Sequence, residues 1–151
     1  VVQTFSKSRG LAGMRVGFAI GQRELIEGLN RVKHSFNSYT LDRVALAGAE
    51  AAIVDGEYFE DVRRRIIRTR ERISGELARR GFELTESMAN FLFASHPRFP
   101  AAELFQGLRR KGILVRYFNQ PKIDNHLRIT IGTDEEMDEL LKALDELTGW
   151  N

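Results

Sequence analysis

Apolar and polar positions alternate or recur along the chain in a way that predicts a mixed helix and strand protein. The opening VVQTFS (residues 1–6) is β-like, with the hydroxyls of Thr4 and Ser6 set among Val2 and Phe5. KSRGLAGM follows as a loop of small residues. RVGFAIG (residues 15–21) is almost continuously apolar and bounded by glycine, which predicts a second, largely buried strand. Leu25, Ile26 and Leu29 then fall at helical spacing, HSFNSYT (residues 34–40) breaks the pattern with turn formers, and the alanine-rich LDRVALAGAEAAIVDG predicts a helix that stops near Gly56. Residues 58–80 read as a long helix with Phe59, Val62, Ile66, Ile73 and Leu77 on one stripe. Arg63, Arg64, Arg65, Arg68, Arg70, Arg72, Arg79 and Arg80 occupy the other face, interspersed with Glu60, Asp61, Glu71 and Glu76, and are expected to be a solvated surface. Gly81 is a natural stop.

The remainder predicts a compact α/β unit. ANFLFAS, ILVRYF and HLRITIG read as strands, with the turn-like NQPKIDN between the last two. PAAELFQGLRRKG reads as a helix with Pro100 at its entry and Gly112 past its end. Thr133 and Glu136 have the spacing of a capping box. Met137, Leu140, Leu141, Leu144 and Leu147 form the apolar stripe of the last helix. Residues 1–48, 49–81 and 82–151 are thus expected to be, in turn, part of a larger domain, connecting helices and a small domain. A rigid helical connector of this kind suits hinge-type closure over a site.

Composition narrows the chemistry. At 151 residues, with 42% hydrophobic and 29% charged, the chain is ordinary for a globular protein, and a net charge of +2 is too small to argue for nucleic acid. No run approaches the about 20 apolar residues of a membrane helix. Cysteine is absent, which excludes disulfides and thiolate metal sites and fits a reducing, cytoplasmic compartment. His34, His96 and His126 lie far apart without ligand spacing, so no metal is expected.

The stretch TFSKSRGLAGMRVGF concentrates the candidate chemistry. Hydroxyls at Thr4 and Ser6, two residues apart, would share a strand face. Lys7 follows at the strand end, and Arg15 returns at the start of the next strand. Gly10, Ala12 and Gly13 remove bulk between them, so the loop could approach a ligand. Hydroxyl donors and a guanidinium fork suit a phosphate. The glycines fit neither the phosphate loop G-x-x-x-x-G-K-[ST] nor the dinucleotide pattern G-x-G-x-x-G. A lysine beside a phosphate clamp instead matches the needs of pyridoxal phosphate, whose aldehyde condenses with an amine while its phosphate is held separately.

The pattern T-x-S-K-x-x-G-L-A-G-x-R-x-G, complete in this stretch, resembles the lysine segment of fold-type I aminotransferases, and in particular their histidinol-phosphate aminotransferase branch. ANFLF, GILVRYF and LRITIGTDEEMDELLKAL are similar to the carboxy-terminal lobe of the same branch. The resemblance implies the end of a large pyridoxal-phosphate-binding domain, a long connecting helix and an α/β carboxy-terminal small domain. It implies that Lys7 is the Schiff-base lysine, that Thr4, Ser6 and Arg15 bind the cofactor phosphate, and that Arg116 and Arg128 bind the anionic groups of small-molecule amino and oxo acid substrates. It also implies a homodimer that transfers an amino group between histidinol phosphate and 2-oxoglutarate in histidine biosynthesis. The lysine motif does not separate this from a threonine-phosphate decarboxylase or an aromatic aminotransferase of the same fold. A module that only associates is the reading from another class. The aspartate and aromatic ring contacts of the family have no counterpart in these residues, so the chain by itself is expected to be inactive. From the residues alone, alternation leaves Arg128 and Thr130 on one face of HLRITI and Leu127, Ile129 and Ile131 on the other. An arginine among apolar strand residues needs an anionic partner, and an internal carboxylate would serve as well as a ligand.

Overall fold

A computed structural model describes residues 1–150. The chain forms two compact units, Val1–Arg63 and a second from Arg64 onward, whose boundary falls inside one long helix.

The first unit begins with an antiparallel pair, β1 (Val2–Thr4) and β2 (Gly17–Ala19), in the register Val2↔Ala19 and Thr4↔Gly17. Gly17 is required there, because a Cβ would stand 2.8 Å from the Gln3 carbonyl oxygen. The predicted first strand is shorter than expected. Thr4 is the N-cap of a single helical turn, α1 (Phe5–Ser8), so Ser6 and Lys7 are helical. Cap chemistry overrides alternation here, since the Thr4 hydroxyl satisfies the Ser6 N–H. Residues 15–21 are also less strand-like and less buried than their apolar character predicts. Val16 is buried, but β2 is exposed throughout, because a two-stranded ribbon has no further layer in this unit to cover it. A 3-10 turn at Ala12–Met14 links the two strands. Two helices follow, α2 (Arg23–Phe36) and α3 (Arg43–Val54), the latter capped by Asp42. Phe5, Val16, Ala45 and Ala49 form the unit's core, with Leu11, Leu41 and Ala52 packed on it. Arg9 belongs to this scaffold: its guanidinium lies 3.8 Å over the Phe59 ring and donates to the Ala52 carbonyl at 2.7 Å.

Helix α4 (Gly56–Arg79) starts at Gly56, the residue expected to end its predecessor. In the second unit a four-stranded antiparallel sheet has the order β3-β4-β6-β5, from β3 (Glu83–Leu84), β4 (Phe91–Ser95), β5 (Arg116–Tyr117) and β6 (Leu127–Thr130). Helix α5 (Ala101–Arg110) precedes β5, and α6 (Asp134–Thr148) follows β6 with the expected capping box formed at Thr133 and Glu136. Leu92, Ala94, Leu127 and Ile129 point from the sheet into a core shared with Ile73 and Leu77 of α4, Leu104 and Leu108 of α5, and Leu140 and Leu144 of α6. Helices α5 and α6 meet closely, because a Cβ on Gly107 would stand 2.7 Å from Leu147 Cδ2.

The arginine face of α4 is not uniformly solvated. Arg80, just past the end of α4 and 13% exposed, forks onto both carboxylate oxygens of Asp145 at 2.6 and 2.9 Å. Arg72 bridges Asp134 and Asp138. These partners lie more than 60 residues away in α6, so helix periodicity could not reveal them.

Candidate functional site

The opening hairpin and turn gather Thr4, Ser6 and Lys7, though not by the strand-face route expected. The Thr4 Oγ1 accepts the Ser6 N–H at 3.1 Å, and the Thr4 hydroxyl donates to Ser6 Oγ at 2.8 Å. The Ser8 hydroxyl donates to the Thr4 carbonyl at 3.4 Å. Lys7 is exposed on α1, and it and Thr4 both line an open hollow of about 610 Å3. Ser6 and Arg15 do not line it.

Arg15 is carried to the same end of the hairpin by the Thr4↔Gly17 pairing and by the Phe5 N–H donating to the Val16 carbonyl. Its backbone is left-handed, with φ of 55°, which a non-glycine residue adopts at a cost of about 1 kcal/mol. Such outliers concentrate where the backbone aims a functional side chain. One guanidinium nitrogen donates to the Ala12 carbonyl at 2.8 Å, and arginine has further N–H groups to offer. Gly10 has φ of 68° and is needed for the turn. At Gly13 a Cβ would meet nothing within 4 Å, so no contact in this unit demands its smallness. Residues 1–23 carry Lys7, Arg9, Arg15 and Arg23 and no Asp or Glu. This stretch therefore offers donors and cations and no carboxylate.

The second group lies on the outer face of the second unit's sheet, opposite the core. Phe91 and Phe93 of β4 and Arg128 and Thr130 of β6 alternate with buried neighbours, as alternation predicts for Arg128. The register sets Phe93 opposite Arg128, and Arg128 in turn opposite Arg116. Two arginines thus face each other directly across adjacent strands, an arrangement in which like charges repel. Neither has a carboxylate within salt-bridge distance among the described residues. The internal ion pair open on sequence grounds is therefore absent from both. Arg116 instead lies 5.3 Å over Phe118 and Arg128 lies 5.4 Å over Phe91. Phe93 stands edge-on to Phe118 at 6.4 Å and is stacked on His126 at 4.5 Å, the planes 8° apart.

Sequence reasoning missed this aromatic pavement. The alternation of Phe91 and Phe93 was a signal for it, but their neighbours across the sheet were not readable. Neither His34 nor His96 joins a site: buried His96 is a structural link, accepting the Arg98 N–H at Nδ1 and contacting the Arg80 carbonyl through Nε2.

A family model described as aminotransferase class I and II matches residues 1–144. The chain is 61% identical over 146 residues to a histidinol-phosphate aminotransferase of Clostridium acetobutylicum, covering 97% of this chain and 42% of that protein. It is 56% identical over 147 residues to the enzyme of the same name from Aromatoleum aromaticum, covering 97% and 41%. Its structure superposes on a histidinol-phosphate aminotransferase of Sinorhizobium meliloti in complex with pyridoxal-5'-phosphate with a TM-score of 0.86 at 28% identity, covering 98% of this chain and 40% of that one. The chain thus spans about two fifths of the length of these relatives, and its helix and sheet architecture is that of part of a fold-type I aminotransferase. The chain belongs to the aminotransferase class I and II family.

Proposed function

We propose that this chain works as part of a longer, pyridoxal-phosphate-dependent histidinol-phosphate aminotransferase, which exchanges an amino group between histidinol phosphate and 2-oxoglutarate. The observation that carries the proposal is the facing pair Arg116 and Arg128, two cations without a carboxylate, in a chain whose other cluster is a lysine among phosphate-type donors. On this reading residues 1–48 contribute to the cofactor-binding domain, 49–81 connect, and 82–151 form the small domain. A cytoplasmic homodimer is part of the same reading and rests on the family resemblance.

The donor set fits the cofactor. Thr4, Ser6 and Arg15 would hold its phosphate, with Arg15 using the N–H groups that Ala12 leaves free. Lys7 Nζ would hold its aldehyde carbon. When bound, pyridoxal phosphate supplies an electron sink that acidifies the α-proton of an amino substrate. Lys7, displaced by the substrate amine, would take that proton from the α-carbon and return one to the cofactor carbon that carried the aldehyde. By holding the phosphate, Thr4, Ser6 and Arg15 would keep the cofactor within reach of the Lys7 amine. Arg116 and Arg128 would receive the substrate phosphate in one half-reaction and a carboxylate in the other.

Borohydride reduction of the full-length enzyme after incubation with pyridoxal phosphate, followed by peptide mapping, tests this reading. The label is expected on the peptide containing Lys7. A label on another lysine, with Lys7 unmodified, removes the assignment.

A further inference from the structure

His126 immediately precedes β6, two residues before Arg128, and its ring is stacked flat on Phe93 of the sheet's outer face. The stack brings it to the face that carries Arg128, because Phe93 is the residue paired opposite Arg128. Its Nδ1 is buried and has no hydrogen-bond partner. A hydrogen on Nδ1 would be shut away without an acceptor, so the hydrogen of the neutral ring belongs on Nε2. The ring as a whole is only half-buried; of its two nitrogens only Nδ1 is shut away, and Nε2 has no protein partner among the described residues. Stacking would be served equally well by phenylalanine, without an orphaned ring nitrogen; the orphan is explained if the opposite nitrogen has work to do.

We propose that His126 is a third ligand-binding group on this sheet face, donating Nε2–H to the phosphate that Arg116 and Arg128 receive. The inference rests on the arginine-pair reading above and extends it to a residue outside the family pattern used there. The ligand class is a phosphomonoester rather than a carboxylate. A carboxylate offers two oxygens, one for each arginine, whereas a phosphomonoester has a third free oxygen for a third donor. Phe93 is central to the arrangement: it lies opposite Arg128, meets the Phe118 ring under Arg116, and fixes the plane of His126.

The test is His126→Phe in the full-length enzyme, a change that keeps the stack and deletes the donor. The expected result is a KM for histidinol phosphate raised about tenfold, the loss expected for one hydrogen bond to a charged group, with kcat and the thermal midpoint unchanged. KM for 2-oxoglutarate should stay within about twofold, as its carboxylate has no third oxygen to receive the His126 N–H. His126→Gln, which returns an N–H donor, should recover part of the loss. An unchanged KM for histidinol phosphate in His126→Phe overturns the inference, as does a rise for 2-oxoglutarate alone. Arg128→Lys in the same assay separates the two levels: if Arg128→Lys raises KM and His126→Phe does not, this inference fails by itself; if neither does, the arginine-pair reading fails with it.

Discussion

The two units build their candidate sites in opposite ways. In the first, the core is small (Phe5, Val16, Ala45 and Ala49), and the site is shaped by local structure within residues 2–19: a Thr4 cap, a three-residue hairpin pairing and a left-handed Arg15. In the second, a cluster running from Ile73 to Leu144 holds the sheet, and the site exists because strand register lines up Phe93, Arg128 and Arg116. A site of the first kind is encoded in a motif and can be altered chemically with little effect on stability. A site of the second kind depends on the packing behind it.

The largest expected effect tests the first half of that contrast. Lys7 is exposed and makes no side-chain hydrogen bond among the described residues, so Lys7→Ala in the full-length enzyme should leave the thermal midpoint unchanged. On the role proposed for Lys7, turnover should fall by at least about a thousandfold, because the nucleophilic and proton-carrying amine would be gone. Transamination at the wild-type rate would falsify the role given to Lys7.

The second half predicts the converse. Leu144 is fully buried among α4, α5 and the sheet, so Leu144→Ala leaves a cavity and should lower unfolding free energy by about 3 kcal/mol. Urea denaturation followed by circular dichroism measures it. A loss below about 1 kcal/mol would mean that the second unit is far less dependent on its core than its burial implies.

The same contrast explains what could be read from the sequence. The meeting of Thr4 and Ser6 beside Lys7 was legible because it is local, although alternation gave the wrong reason for it: the two hydroxyls meet through a helix cap, not a strand face. The capping box at Thr133, the stripe of Met137, Leu140, Leu141 and Leu144, and the outward Arg128 were legible because each depends on spacing within one element. The direct opposition of Arg116 and Arg128 was not, because it depends on the pairing of β5 with β6 across an intervening turn. The Arg72 and Arg80 partners were hidden for the same reason. The short β3 carries too few residues for any period to emerge.

A smaller effect sharpens the role of register. Arg128 occupies the middle of the row, between Phe93 and Arg116, and points away from the core. Arg128→Lys keeps the charge but loses the planar fork. The apparent KM for glutamate should rise several-fold, and more than in Arg116→Lys, whose residue lies at the sheet edge. Equal KM values in wild type and Arg128→Lys would place the anion elsewhere on the face.

The smallest effect concerns pH and asks whether the ties between α4 and α6 matter energetically or merely fix geometry. Asp134 accepts the Thr69 hydroxyl at 2.9 Å and an Arg72 N–H at 3.0 Å. The Thr69 hydrogen bond first, and then Arg72, hold its carboxyl below the ordinary carboxylate range. A carboxyl whose pKa is lower folded than unfolded binds fewer protons in the native state. Its stabilising contribution is therefore present above the unfolded value of about 3.9 and disappears as pH falls through the folded value. Asp134→Asn should lower the thermal midpoint at pH 6 and lose that deficit progressively toward pH 3. The change should be slight, because Asp134 is half exposed and water screens the pair. Wild type and variant curves that stay parallel across this range would show that Asp134 holds Arg72 and Thr69 in place without a charge-dependent share in stability.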